Sequence, residues 1–241
     1  MLQKTRAIIL HAVKYGDSSL IVQAYTEQWG RASFLLKGAR KSRKNNRAVL
    51  FQPFYLLDLD IYYRDNRDLQ WIREAAFSRS MVGIRQDVVK STQAIFLSEV
   101  LLRTIREEEQ NPELFGFLLQ SVTYFESPAA ASPSFHLLFL FQLSRYLGFY
   151  PAKNFSGTEQ FFNIGTGRFS STPDTIDMEY EKRLGLQWKS AFTCEYSSAD
   201  QVFNNQEKRN MFLDSLLDFY RNHHPSMREI KSLEILRTVF G

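Results

Sequence analysis

The sequence predicts an α+β protein, a five-stranded β-barrel at residues 1–76 followed by an all-α helical domain at 77–241 with an irregular insertion at about 152–200. Two observations carry this. From Thr5 to Trp71, short runs rich in β-branched and aromatic residues alternate with turn chemistry, whereas from Phe77 onward apolar residues recur at helical spacing. A third observation concerns function. Gly30 to Arg47 holds Arg31, Lys37, Arg40, Lys41, Arg43, Lys44 and Arg47 without one Asp or Glu, a field suited to a polyanion.

The first strand is expected at about Ala7 to Lys14. Gly16-Asp17-Ser18 turns it into a second, in which Leu20, Val22 and Ala24 alternate with Ile21, Gln23 and Tyr25. Trp29-Gly30 turns into the third, where Ala32, Phe34 and Leu36 alternate with Ser33, Leu35 and Lys37, so a half-buried strand delivers the chain into the basic loop. Phe54 to Arg64 gives a fourth, with Leu57, Leu59, Ile61 and Tyr63 on one face and Asp58, Asp60 and Tyr62 on the other. Asp65-Asn66 is a tight turn, and Leu69 to Glu74 returns as the fifth, making a hairpin of the last two. A small barrel of the OB type fits this count and length.

Helices follow. Thr92 to Arg106 carries Leu97, Leu101 and Ile105 on one stripe; Asn111-Pro112 caps the next helix, and Ser132-Pro133 starts a third, Ser134 to Leu147. That third helix is apolar nearly all round, which marks a domain centre, and Leu147-Gly148-Phe149-Tyr150-Pro151 stops it. Residues 152–200 lose helical periodicity, with a small hairpin at Phe161 to Phe169. Asn204 with Glu207, and Ser226 with Glu229, have the spacing of capping pairs for two closing helices.

At 241 residues and 44% hydrophobic, the chain can build its own cores. One cysteine, Cys194, excludes an intrachain disulfide framework and a multi-cysteine zinc site, and suits a reducing compartment. No apolar run approaches the roughly 20 residues of a membrane span, and no signal peptide is indicated, so a cytoplasmic protein is expected. The formal charge of +4 is uneven. Residues 1–75 hold 13 Lys/Arg against 7 Asp/Glu, leaving 17 against 19 for the remainder.

Other motifs point to no chemistry. Gly165-Thr166-Gly167-Arg168 lacks the lysine and helix of a phosphate loop and fits a hairpin turn. His223-His224, with Pro225 next, fits a helix end better than a metal site. Asp58 and Asp60 sit on a wet strand face, and no nucleophile, base and orienter can be assembled, so no catalytic residue and no cofactor are expected. Among barrel aromatics, Phe34 is expected to be buried, and Tyr62, on the polar face, is the base-stacking candidate beside Tyr15. Charge alone admits DNA or RNA, and a protein-binding scaffold is the alternative outside nucleic acid.

Several segments in order resemble the bacterial DNA repair protein family RecO over most of the chain. They are Ile8 to Gly16, the Thr26 to Gly30 turn, Lys37-Gly38-Ala39-Arg40-Lys41, Gln52-Pro53-Phe54, Leu147-Gly148-Phe149-Tyr150-Pro151 and Lys231-Ser232-Leu233. The resemblance implies an OB-fold and a helical domain, binding of single- and double-stranded DNA, strand annealing, and loading of RecA together with RecR onto strands coated by single-strand-binding protein. It also implies association with the bacterial nucleoid. Many relatives carry a four-cysteine zinc site after the helix stop, but Ala152 to Pro173 has no cysteine. No structural zinc is therefore expected, and packing of Phe155, Phe161, Phe162 and Phe169 should hold the insertion instead. The acidic, Phe-ended tail of single-strand-binding protein, a partner implied by the family, needs an apolar pocket rimmed by cations. Arg209, Met211, Leu216, Phe219, Arg228 and Lys231 in the last two helices are the residues offered for it; the alternative is that those apolar side chains are core.

Overall fold

The computed structural model of the protein describes residues 1–39, 47–130 and 132–240. Packing divides the chain into two compact units. One is Met1–Pro128 with Ser232–Leu236; the other is Ala129–Lys231 with the residues from Arg237 onward.

In the first unit, β1 (Leu2–Tyr15), β2 (Ser19–Thr26), β3 (Gly30–Leu36), β4 (Leu56–Tyr62) and β5 (Leu69–Phe77) form a closed barrel in the order β1-β2-β3-β5-β4. Among the described residues, only β3 and β5 pair in parallel. The strand β1 is longer than the sequence suggests because it serves two neighbours. Its Leu2–Ile8 half pairs with β4 and its Ala7–Tyr15 half with β2, with an irregularity between Ile9 and His11 that lets one strand turn between partners. Alternation fills the interior with Val22, Ala24, Phe34, Leu57, Leu59 and Ile61, all fully buried, and leaves Asp58 and Tyr62 outside.

Among the described residues, three α-helices lie wholly in this unit: α1 (Val82–Gln86), α2 (Val88–Thr104) and α3 (Pro112–Glu126). The helix α2 begins four residues before the expected Thr92, because Asp87 Oδ1 accepts from the Lys90 amide at 3.1 Å and caps it there. Asn111 caps α3 as predicted, accepting from Leu114 N at 3.0 Å with Pro112 behind it. Lys90 is buried. Its ammonium donates to Ser127 O at 2.6 Å over the Phe125 ring, and burial pushes its pKa down.

The second unit is built on α4 (Phe135–Tyr146), whose Leu137 to Phe141 and Leu143 are all buried. Gly148 takes a positive φ of 84°, and the Phe149 amide then closes back on Ser144 O at 3.1 Å, ending the helix at the predicted stop. Its other elements are the hairpin β6 (Phe161–Asn163) and β7 (Arg168–Ser170), then α5 (Met178–Ala191), α6 (Ala199–Val202) and α7 (Gln206–His223). The last helix, α8 (Ser232–Phe240), has residues in both units.

Three local expectations need correction. The insertion contains a 14-residue helix, α5, capped by Asp177 and buried through Leu184, Trp188 and Ala191; Gly185 and a charged outer face obscure the period. The cap of α7 is Asn205, which accepts from Lys208 N at 2.9 Å, one residue beyond Asn204. Pro225–Arg228 is only a 3-10 turn, and α8 starts at Ser232, whose amide and hydroxyl both donate to Glu99 Oε2, at 2.8 and 2.6 Å.

Rings hold the insertion together. Phe162 stacks on Trp188 with centroids 4.0 Å apart, and Phe169 lies 4.9 Å from Phe162 and 4.7 Å from Phe155. Phe161 is buried beside them in the hairpin. At the hairpin tip Asn163 organises the turn, accepting from Thr166 N at 2.7 Å through its side chain and from Gly167 N at 2.9 Å through its carbonyl.

Candidate nucleic-acid interface

Strand register places a row of large side chains across the outside of the barrel. Tyr62 of β4 pairs with Trp71 of β5, and Trp71 with Leu35 of β3. Cross-strand neighbours on one face have Cβ atoms only about 4.5–5.5 Å apart, so the two side chains leave the sheet next to each other. Both are open to solvent, Trp71 at 40% and Tyr62 at 47%. An exposed tryptophan beside an exposed tyrosine forms no part of the core, and such a pair has ring surface that a ligand can cover.

Cations converge on the same place. Lys37, just past the end of β3, puts its ammonium 3.8 Å from the Trp71 ring centroid, and the Arg67 guanidinium lies 5.9 Å from it. The parallel β3–β5 pair makes this meeting, since it brings Leu35 opposite Trp71. Gln70, buried beneath, fixes the turn that carries the arginines: its Oε1 accepts from Arg64 N at 2.9 Å, and its Nε2 donates to Arg64 O at 2.8 Å and Arg67 O at 2.6 Å. Between these groups lies a cleft of about 280 Å³ that includes Met1, Tyr62, Arg64, Arg67 and Trp71. Asp65 and Asp68 lie in the same turn as Arg64 and Arg67, and Arg73 Nη2 lies 3.6 Å from Glu74 Oε1, so Lys37 and Arg47 are the cations left to set the sign of the patch.

The predicted DNA contacts divide. Arg40, Lys41, Arg43 and Lys44 lie outside the described residues. Lys37 and Tyr62 stand in the patch, and Arg47 Nη2 donates to Arg73 O at 3.1 Å, which ties the far end of the basic segment to β5. Arg31 is placed differently. Its Nη1 donates to Leu102 O and Ile105 O, both at 3.0 Å, and its amide to Glu107 O at 3.0 Å, so it closes the C-terminal end of α2. Phe34 is core, and Tyr15 is exposed at the end of β1. Sequence reasoning missed Trp71, Arg64 and Arg67. Trp71 sits at an outward position of β5 by alternation, but only the parallel pairing, invisible to periodicity, shows that Lys37 meets it.

The residues offered for a partner tail also divide. Leu216 and Phe219 are core, at 0% and 1% exposure, with Phe219 packed 5.3 Å from Trp188. Arg209 Nη1 donates to Phe203 O at 3.2 Å, whereas Arg228 and Lys231 are exposed and Met211 is half-buried. His223 stacks on Phe149 at 5.3 Å, and His224 Nδ1 lies 2.7 Å from Ser226 Oγ. Among the described residues no three His, Cys, Asp or Glu side chains group as a metal site would require, and no helix is long and apolar enough to cross a membrane.

Two family models match the chain, "Recombination protein O N terminal" over residues 1–81 and "Recombination protein O C terminal" over residues 85–159. A DNA repair protein RecO of Bacteroides fragilis is 35% identical over 241 residues, covering 100% of both chains. The one from Christiangramia forsetii is 35% identical over 242 residues with the same coverage, and that from Porphyromonas gingivalis 30% over 246.

Proposed function

Since the chain belongs to the RecO family, we propose that it is a DNA-binding recombination mediator whose barrel is the DNA contact. A role in DNA repair and recombination goes with that membership. The observation that carries the barrel assignment is the meeting of Lys37, first cation of the segment 37–47 that holds no acid, with the exposed Trp71–Tyr62 pair. Phosphate contacts from Lys37, Arg40, Lys41, Arg43, Lys44 and Arg47 would screen the mutual repulsion of two strands, allowing single- and double-stranded DNA to be held and complementary strands to be annealed without a nucleotide cofactor. We place the functional boundary after the barrel, with DNA on residues 1–76 and the single-strand-binding protein tail on 77–241. No catalytic residue, cofactor or metal is assigned.

Loading of RecA with RecR, contact with the single-strand-binding protein tail, and a nucleoid-associated place in the cytoplasm extend this proposal from the family. The tail contact rests on Arg228 and Lys231, since Leu216 and Phe219 are occupied in the core. A tail peptide that binds equally well to an Arg228→Ala, Lys231→Ala double variant would remove both residues from that role.

The test of the main proposal is binding of labelled single-stranded DNA across a salt series. With four to six phosphate contacts at roughly 0.7 per contact, the log–log slope should be about −3 to −4. Absence of binding at low salt would favour a protein-binding scaffold. Tighter binding to RNA of the same sequence would favour an RNA-binding barrel.

A further inference from the structure

We infer that Trp71 and Tyr62 form a stacking platform for unpaired bases, and that Lys37 occupies the Trp71 ring until a base replaces it. The inference rests on the DNA-binding role of the barrel and adds which form of DNA this patch prefers. Three observations lead to it. First, the two rings are cross-strand neighbours on the outer face and both are exposed, so each can take one of two consecutive bases. Second, the groups at the Trp71 ring are cationic, Lys37 at 3.8 Å and Arg67 at 5.9 Å, which matches a ligand that is aromatic and anionic at once. Third, Lys37 stands at the edge of the platform just past the end of β3, so a strand whose bases rest on the rings has a cation within reach of a phosphate.

Selectivity follows from geometry. In a duplex every base face is covered by its neighbours, and a protein ring reaches one only after the stack is opened. A single strand offers its faces freely, and stacking tolerates any base because each has a π-face. The platform therefore adds affinity for single strands and little for duplexes. Lys37 exchanges roles in the process, leaving the indole for a phosphate.

The experiment uses the full chain, a labelled homothymidine single strand and a duplex of equal length. Trp71→Leu should weaken single-strand binding by roughly five- to a hundredfold, while duplex affinity stays within about twofold. Trp71→Tyr should retain most of the single-strand affinity. Tryptophan emission of the wild type should change on addition of the single strand, and the change should vanish in Trp71→Leu although Trp29 and Trp188 remain. Lys37→Met should keep the emission change and flatten the single-strand salt slope by about 0.7. Undiminished single-strand binding by Trp71→Leu, or equal loss on both DNA forms, overturns the platform while leaving the barrel as the DNA contact. Failure of the wild type to bind either form overturns both.

Discussion

Arg31 and Lys37 are six residues apart in one basic stretch, yet their surroundings give them different tasks. The Arg31 guanidinium donates two hydrogen bonds to carbonyls at the end of α2, and charge-assisted bonds of this kind contribute about 1.5–3 kcal/mol each when fully formed. Arg31→Ala should therefore lower the melting temperature by several degrees, whereas Lys37→Ala should leave it nearly unchanged and weaken DNA binding. Equal melting temperatures for the two variants would refute the assignment of Arg31 to the fold. The Lys37 ammonium over Trp71 is a weaker interaction, about 0.5–1 kcal/mol at an exposed site, while a stacked base contributes about 1–3 kcal/mol. The base prevails on those magnitudes. Nothing in local sequence separates the two cations, because the Arg31 acceptors lie 71 and 74 residues away.

At the level of elements, caps and periodicity were legible where the signal is local. Asn111-Pro112, the Gly148 stop and the alternation of β4 all appear where their chemistry places them. The helix α5 was not legible, because its apolar positions are few and the pattern emerges only once Trp188 is known to pack on Phe162. The start of α8 depends on Glu99, 133 residues distant, which no local pattern encodes. One buried group on α4 makes a testable case. His136 is pushed down to about 3, first by burial and then by the positive charge of Arg209. An unfolded histidine titrates near 6.5, so between those values the unfolded chain binds a proton that the folded one excludes. Stability is therefore lost as pH falls below about 6.5, by roughly 2 kcal/mol between pH 7 and pH 5 at about 1.4 kcal/mol per pH unit. Melting temperature should fall over that range, and His136→Asn should flatten the fall. An unchanged slope in the variant would show that other groups control acid stability.

Across the whole molecule, the distribution of charge and the change of period at Phe77 told more than any single motif. A barrel announces itself by alternation, so fold class was readable, and a cluster of cations shows in composition as a charge suited to a polyanion. The partner of Lys37 was not, since the β3–β5 contact joins residues far apart in the chain and only closure of the barrel creates it. Residues 37–47 are proposed to bind DNA through phosphates without being needed by the fold. The direct measurement is single-strand affinity from low to moderate salt for the full chain and for a variant with Arg40, Lys41, Arg43 and Lys44 all changed to Ala. Losing four contacts at roughly 0.7 each should flatten the log–log slope by about 3 and weaken binding by orders of magnitude at low salt. Cations that serve DNA and not the fold alter stability by less than about 0.5 kcal/mol each when changed, so on this proposal the melting temperature should move little. A variant with the wild-type slope and affinity, or one that loses binding only because it unfolds, would contradict the account.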